Sequence, residues 1–191
     1  MKISNVTVLS VIVFMLTSGC AAKIKRNFLN EPYQVKKISA ALTVTGIEVV
    51  DARKSTDTAT LIIPGFTFKS VGDTIIPPLS AEQSKIIKIE IAQYASGGKT
   101  AVRIKATITK GIKEYSMGFF NSREYALADV NIELLDTLNN TQLFSTTGEA
   151  AYETKSTRAD TVFLESLYRK ALKTCVYKAF ESIQDYLEKS K

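Results

Sequence analysis

Apolar residues recur every three or four positions from Phe163 to Leu187, in the longest periodic pattern of the chain. This spacing is typical of a helix with one continuous apolar face. About ten large side chains there, at about 1.5–3 kcal/mol each, would contribute more than the ~5–15 kcal/mol by which a domain is usually stable. We therefore predict a C-terminal core helix that begins near Arg158 or Asp160. Cys175 falls on its apolar face, which predicts a buried, reduced thiol.

Alternating polar and apolar residues predict strands, because successive side chains of a strand point to opposite faces. The pattern is present in four segments: residues 38–52, 102–109, 130–134 and 142–153. Asp136 to Asn140 supplies turn residues between the last two segments, since Asn tolerates a positive φ. These two strands are therefore expected to form an antiparallel pair.

Residues 80–96 fit two patterns. Several isoleucines partly alternate, which indicates a strand. Ser80 and Gln83 form a capping-box pattern behind a pair of prolines, however, and Gly97-Gly98 supplies a helix stop. Most of the large apolar residues also fall on one helical face. We predict a helix for this segment.

The elements then follow in the order β-α-β-β-β-α, and two one-sided helices can cover one face of a four-stranded sheet. We predict an α+β fold, a two-layer sandwich in which a four-stranded, mostly antiparallel sheet carries both helices on one face. Residues 54–79 contain several Pro and Gly residues and are expected to form an irregular connection. The open face of the sheet is predicted to be polar, because Arg103, Lys105, Asn131 and Glu133 alternate with the apolar positions.

The first nineteen residues have the layout of a secretory signal. The apolar run from Val6 to Leu16 is eleven residues long. It would rise about 16 Å as a helix, too little to cross a hydrocarbon core of ~30 Å. Next, Leu16-Thr17-Ser18-Gly19-Cys20 resembles the lipobox of bacterial lipoproteins. In that family the cysteine takes a diacylglyceryl group, the chain is cut before it, and the new amine is acylated. The resemblance implies lipidation of Cys20; the alternatives are ordinary secretory cleavage near Ala21-Ala22 and a retained anchor.

This resemblance divides the chain into a signal peptide (residues 1–19), a lipid-anchored tether (20–37) and a single α+β domain (38–191). Three acyl chains would make membrane attachment effectively permanent. Ala21, not Asp, follows the cysteine, which in the enterobacterial pattern implies sorting to the outer membrane, with the domain facing the periplasm. The expected partners are therefore the membrane, through the anchor, and an envelope protein.

The charge of the chain raises the question of a nucleic-acid partner. Removal of the signal, in which Lys2 is the one charged residue, lowers the net charge from +6 to +5. The Lys and Arg residues are interspersed with Asp and Glu and form no basic stripe. One cluster, Lys23, Lys25 and Arg26, stands beside the anchor, where anionic headgroups or solvent explain it. We expect no nucleic-acid partner.

Val50-Asp51-Ala52-Arg53 ends the first predicted strand. With the element order over residues 38–188, this segment resembles the small outer-membrane lipoproteins of the YajG-like kind. In proteins of that kind a strand ending in Val-Asp-Ala-Arg, a helix, three strands and a closing helix follow the anchor. The resemblance implies an address and a fold, and no established activity.

Catalytic chemistry is poorly supplied. The chain has no His, which removes the usual general base and the commonest metal ligand, and its two cysteines are too few for a zinc site. Asp51, Asp57 and Asp73 could serve acid–base chemistry as in glycosidases, but turn chemistry and solvation explain them. Asp51 with Arg53 is interpreted as a strand-end ion pair of little energetic value. We expect no enzymatic activity, no cofactor and no metal.

Three binding roles stay open. A partner-binding or scaffold role leads by elimination, since the open sheet face is too polar for a lipid-transport accessory and the absence of Trp disfavours a cell-wall glycan binder. Large apolar side chains stand where periodic structure stops, and these are the candidate partner-docking residues: Phe66, Phe68, Met117, Phe119 and Phe120. The alternative is that they close the sheet edges and helix ends as part of the core.

Overall fold

The computed structural model describes residues 27–28, 37–57, 61–64, 69–156 and 159–190. These residues form six strands and two helices: β1 (Asn27–Phe28), β2 (Ala40–Asp51), β3 (Val71–Ile75), α1 (Ala81–Tyr94), β4 (Ala95–Met117), β5 (Ser122–Asp136), β6 (Gln142–Ser156) and α2 (Thr161–Lys189). The predicted signal peptide, Cys20, Phe66, Phe68 and Arg158 lie outside the described residues.

One mixed sheet forms around β4, in the order β1-β6-β5-β4-β2. β5 pairs antiparallel with one edge of β4, so that Met117 lies opposite Ser122. The other edge of β4 is shared, because β2 pairs parallel with its first part and β3 pairs antiparallel with its last five residues. The sheet therefore has six described strands where the sequence predicted four. An α+β fold with a mostly antiparallel sheet is confirmed in outline.

A bulge explains why β4 continues past its predicted end at residue 109, as far as Met117. The register between β4 and β5 shifts between Ile108 and Lys110. From Val102 to Ile108 the even-numbered residues of β4 are buried, whereas Gly111, Tyr115 and Met117 are buried after the shift. An extra residue moves every later side chain to the opposite face. The alternation therefore breaks at the bulge although the strand continues.

β3 lies inside the segment that the sequence predicted to be irregular. Ile75 is its one buried side chain. Its hydrogen-bonding partner is residues 113–117 of β4, which are far away in the sequence. A five-residue strand with a single buried side chain carries too little periodicity to be recognised.

Both helices lie on the same face of the sheet, as predicted. α2 packs against β5 and β6, and α1 packs beside α2 and against β2. The core between the layers contains large side chains that are fully buried: Leu42, Ile87, Ile91, Ile104, Ile108, Ile132, Leu134, Leu167, Tyr168, Leu172 and Phe180. The apolar stripe predicted for the C-terminal helix is the core face of α2, and Cys175 is buried on it.

Capping interactions determine where the two helices begin. Ser80 Oγ accepts from the Gln83 amide and Gln83 Oε1 accepts from the Ser80 amide, each at 3.1 Å, which confirms the capping box. Asp160 Oδ1 accepts from the amides of Val162, at 2.8 Å, and Phe163, at 3.3 Å. Asp160 is therefore the N-cap of α2.

The glycine pair after α1 has a different role from the one predicted. α1 ends at Tyr94 and β4 begins at Ala95, before Gly97-Gly98. Gly97 has a φ of +45°, and a Cβ on Gly98 would lie 1.7 Å from the Ala41 carbonyl oxygen of β2. These glycines therefore allow a left-handed conformation and the close approach of two strands, and the prediction that they stop the helix is wrong.

The β5–β6 turn has the chemistry that its sequence predicts. Asp136 Oδ1 accepts hydrogen bonds from the amides of Leu138 and Asn139, at 2.7 and 3.2 Å. Asn140 adopts a φ of +56°. This turn and the β4–β5 turn close opposite ends of the sheet, which we call the turn end and the hairpin end. Leu138 lies at the turn end and is 93% exposed.

Candidate functional site

The hairpin tip, residues 118–121, connects β4 to β5 and is closed by a 2.7 Å hydrogen bond from the Gly118 amide to the Asn121 carbonyl. Phe119 and Phe120 lie in the tip, 56% and 82% exposed, with ring centroids 4.5 Å apart. This exposure is contrary to the alternative that they close the core, and their docking role stays a prediction. Met117 is a buried residue of β4, so the prediction that placed it in the connection is wrong.

A second hydrophobic cluster lies beneath the tip and joins β3 and β4 to the start of α2. Its buried members are Leu61, Ile75, Tyr115, Met117, Ala159 and Leu164. The Tyr115 hydroxyl donates to the Ile62 carbonyl at 3.2 Å, but the side chains of Ile62 and Val162 stay 77% and 79% exposed. The hairpin end thus gathers several exposed apolar side chains: Ile62, Phe119, Phe120 and Val162. Such concentrations seldom persist without a binding role.

A groove of about 620 Å³ opens between the start of α2 and described residues of the connection from β2 to α1, namely Asp57, Leu61, Ile75, Pro77 and Pro78. Its apolar lining comes from Leu61, Ile75, Pro77, Pro78, Val162 and Leu164. Its charged lining comes from Asp57, Lys113, Glu165 and Arg169. An apolar lining with a few charged groups is typical of a binding site. We call this feature the apical groove.

Ion pairs hold the charged side chains of the apical groove in place. Lys113 Nζ lies 2.8 Å from Glu165 Oε2. The Arg169 guanidinium contacts both carboxylate oxygens of Glu82, each at 2.9 Å, and so connects α2 to α1. Bidentate pairs of this kind fix geometry as well as charge.

Sequence reasoning missed Ile62 and Val162. Ile62 lies in the apolar run Leu61-Ile62-Ile63, inside the predicted irregular connection. Val162 falls at the start of α2, beside the apolar stripe instead of on it. For Val162, the one sequence signal of an exposed binding residue was its apolar character outside the stripe. Only the tertiary structure shows that Ile62 and Val162 lie close to the groove.

Two of the three aspartates considered for acid–base chemistry satisfy backbone groups instead. Asp57 Oδ2 accepts from the Ile76 amide at 2.7 Å, and Asp73 Oδ1 accepts from the Thr74 amide at 2.8 Å. The Asp57 contact joins two distant segments and Asp73 lies within β3, so neither contact is the local turn chemistry that the sequence predicted.

Asp51 is placed differently. Arg53 Nε and Nη2 donate to its two carboxylate oxygens at 2.8 and 2.6 Å, and the Leu79 amide donates to it at 3.1 Å. The predicted strand-end ion pair is therefore present, and its Arg53 side chain is only 4% exposed, so that loss of Asp51 would leave a buried charge without a partner. The hydrogen bonds from Arg53 hold the pKa of Asp51 below its ordinary value. The pair connects the end of β2 to the start of α1.

Tyr168 of α2 lies over this ion pair. Burial raises the pKa of Tyr168 to about 12, so its phenol is neutral at physiological pH. Gly111 makes room for the contact, because a Cβ there would lie 2.2 Å from the Tyr168 hydroxyl and 2.6 Å from Arg53 Nη1. The group joins β2, β4 and α2, which is a structural role.

The face of the sheet opposite the helices is polar, as predicted. Lys105 pairs with Glu133 at 3.5 Å and Lys110 pairs with Asp129 at 2.8 Å, both across β4 and β5. A surface crossed by charge pairs is unsuited to acyl chains.

A polar cavity of about 690 Å³ lies between β6 and the last turns of α2. Its polar lining includes Thr147, Glu149, Lys178, Glu181, Ser182 and Asp185. None of its described lining residues is aromatic, which gives no support to the glycan-binding alternative.

Among the described residues, no three His, Cys, Asp or Glu side chains are grouped so that they could hold a metal ion. No helix in the described part of the chain combines the length and the apolar character needed to cross a membrane.

Comparisons with known proteins identify no family for this chain. No family model matches the chain, and no curated protein does. A predicted lipoprotein from Caulobacter crescentus is similar at 12% identity, with a TM-score of 0.45 over 59% of this chain and 88% of that one. The PelC dodecamer of Paraburkholderia phytofirmans is similar at 10% identity, with a TM-score of 0.39 over 84% of this chain and 97% of that one. A Xanthomonas campestris protein of the DUF330 family is similar at 11% identity, with a TM-score of 0.39 over 84% of this chain and 94% of that one.

At 10–12% identity and TM-scores below 0.5, these likenesses assign neither a family nor a function to this chain. None of the three is a YajG-like protein, so that resemblance stays a prediction.

Proposed function

We propose that this chain is a bacterial envelope lipoprotein, anchored in the outer membrane through Cys20, whose periplasmic domain binds a protein partner without catalysis. The apical groove carries the partner-binding part of the proposal. It combines an apolar lining with charges of both signs, and exposed Ile62 and Val162 lie beside or within it. Apolar anchors surrounded by polar groups are typical of protein interfaces.

The anchor part of the proposal rests on the lipobox resemblance. Cys20→Ala should release the mature domain from the membrane, because the predicted acyl chains would be its attachment. Membrane fractionation and mass measurement of the variant test this. A mature-sized variant that stays in the membrane fraction without acyl mass would contradict the anchor.

Val162→Asp tests the groove. The Val162 side chain is 79% exposed, so a carboxylate there leaves the core intact, and an acidic residue in the first turn of a helix is favourable. Leu138→Asp, at the turn end, is the matched control. Full-length protein purified from native envelope in mild detergent should lose a stoichiometric protein partner in Val162→Asp only. Retention of that partner by Val162→Asp, or its loss from both variants, contradicts docking in the groove.

A lipid-transport accessory is the second candidate, and the apolar lining of the apical groove favours it. In that case native mass spectrometry of the wild type should show a non-covalent lipid mass, in addition to the acyl groups on Cys20. Val162→Asp should lower its occupancy. A lipid-free wild type that retains a protein partner supports the first proposal over this one.

A further inference from the structure

We infer that the hairpin tip contacts the membrane that holds the anchor, with Phe119 and Phe120 seated in its interfacial region. The inference rests on the lipidation of Cys20 in the proposed function and extends it to the orientation of the domain. The occupant of the exposed aromatic tip is a lipid surface, whereas the apical groove serves the protein partner.

The pairing of β1 brings the anchor side of the chain to the hairpin end. Asn27 pairs with Lys155 of β6, and Lys155 pairs with Arg123 of β5. Arg123 in turn pairs with Ser116 of β4, so these residues form one row across the sheet. The row lies one residue pair before the hairpin tip. Since neighbouring strands are about 4.8 Å apart, Asn27 lies only about 10 Å to the side of β5.

The direction of β1 and the length of the preceding chain limit how far this end can lie from the membrane. β1 runs antiparallel to β6, which itself runs toward the hairpin end, so the chain enters the sheet at the hairpin end. Asn27 follows Cys20 by seven residues, which span at most about 25 Å when extended. Acyl chains on Cys20 therefore hold this end of the domain near the membrane surface.

The tip has the chemistry that an interfacial contact requires. Phe119 and Phe120 are adjacent, exposed and carried by strands that stay paired up to the turn. Apolar side chains exposed on a protein surface can insert about 5–10 Å into a membrane, as far as the boundary between headgroups and acyl chains. Lys155, which lies in the same row as Asn27, is exposed, and the basic cluster at residues 23–26 directly precedes Asn27 in the sequence. These cations favour anionic headgroups.

A single introduced Trp tests the inference, because the chain contains no Trp, and excitation at a wavelength that tyrosine does not absorb then reports the introduced residue alone. Full-length lipidated Phe120→Trp is reconstituted into vesicles of phosphatidylethanolamine and phosphatidylglycerol, with or without brominated lipid. Leu138→Trp, at the turn end, is the matched control. Emission of Phe120→Trp should shift to shorter wavelength and lose intensity to brominated lipid. Leu138→Trp should keep the spectrum of a Trp in water.

Each other outcome has a distinct meaning. If acylated protein floats with the vesicles and both variants keep water-like, unquenched emission, the tip inference is overturned and the anchor stands. If Phe120→Trp shifts without quenching by brominated lipid, the tip is buried against protein, and the membrane contact is again overturned. If the protein lacks acyl mass and does not float, the anchor is contradicted, and the tip inference with it.

Discussion

The backbone of Gly148 in β6 contacts the backbone of Cys175 in α2: a Cβ on Gly148 would lie 1.8 Å from the Cys175 carbonyl oxygen. Glycine allows this approach because it has no side chain to separate strand from helix. The contact sets α2 close against the sheet, where Cys175 Sγ donates to the Ala128 carbonyl at 2.9 Å.

Gly148→Ala should therefore force α2 away from the sheet. We expect a loss of about 3 kcal/mol, the upper range for overpacking, and a fall in Tm of roughly 6–12 °C. Gly46→Ala is the matched control, because the nearest atom to a Cβ there is 3.5 Å away, an ordinary contact. Thermal unfolding followed by circular dichroism measures both variants. Equal Tm values for the two would contradict the close contact.

The Cys175 thiol should be protected in the folded protein. Burial raises its pKa from 9.0 to about 12, so the folded state favours the neutral thiol. Labelling of the native protein by a bulky thiol reagent at pH 8 should be slower by roughly 10³-fold or more than labelling in denaturant, because access requires near-global opening. Because the folded pKa is the higher one, stability should also fall as pH rises through the range from 9 to about 12. Fast labelling of native protein would contradict the buried position.

Asp51→Asn should destabilise the protein at neutral pH by about 3 kcal/mol, because it leaves the buried Arg53 guanidinium without its counter-charge. The folded pKa of Asp51 lies below the unfolded value of 3.8. The contribution of the pair is therefore complete above about pH 5 and is lost as pH falls through the folded pKa. Denaturant unfolding at pH 7 and pH 3 should show the difference between wild type and variant shrinking at pH 3.

Asp73→Asn is the control for that experiment, because the hydrogen bond given above for the Asp73 side chain is to the exposed Thr74 amide and involves no buried charge. It should change stability by less than about 0.5 kcal/mol at either pH. If the free energy of unfolding of the wild type exceeds that of Asp51→Asn by the same amount at both pH values, the ionised pair is not the source of the difference.

Phe119→Ser combined with Phe120→Ser should leave Tm within about 2 °C of wild type, because exposed side chains contribute little to folding. Met117→Ala, only two residues away, should cost about 2–5 kcal/mol, because Met117 is buried in the second cluster. Thermal unfolding of both proteins makes the comparison. A large loss in the double variant would mean that the tip closes the core after all.

Local pattern predicted much of the fold. The stripe of α2, the capping box at Ser80 and the positive φ of Asn140 are each determined by residues within a few positions of one another. Alternation located β2, β6 and the later part of β5, since one face of each strand is buried against the helices, whereas β5 begins at Ser122, before its predicted start at residue 130. It failed for β4 after Ile108, where one extra residue reversed the face, and for β3, whose one buried side chain gives no period.

The candidate site was less predictable because its parts come from distant segments. Arg53 was expected only to pair with Asp51 at a strand end, and its burial depends on Tyr168, more than a hundred residues later, which lies over it. The sequence around Val162 does not identify it as a groove residue. Val162 lines the groove because α2 begins beside Leu61 and Pro77 in the folded chain.

The sequence by itself determined the two helices, the residues that cap their starts and the strand segments with clear alternation, and it supplies the candidate lipid attachment, because each depends on neighbours in the chain. Tertiary structure alone decided that Ile62, Val162 and the Phe119–Phe120 pair gather at the end where β1 enters the sheet. Strand register and helix packing place these residues together, and both depend on contacts between segments whose separation in sequence leaves no local pattern.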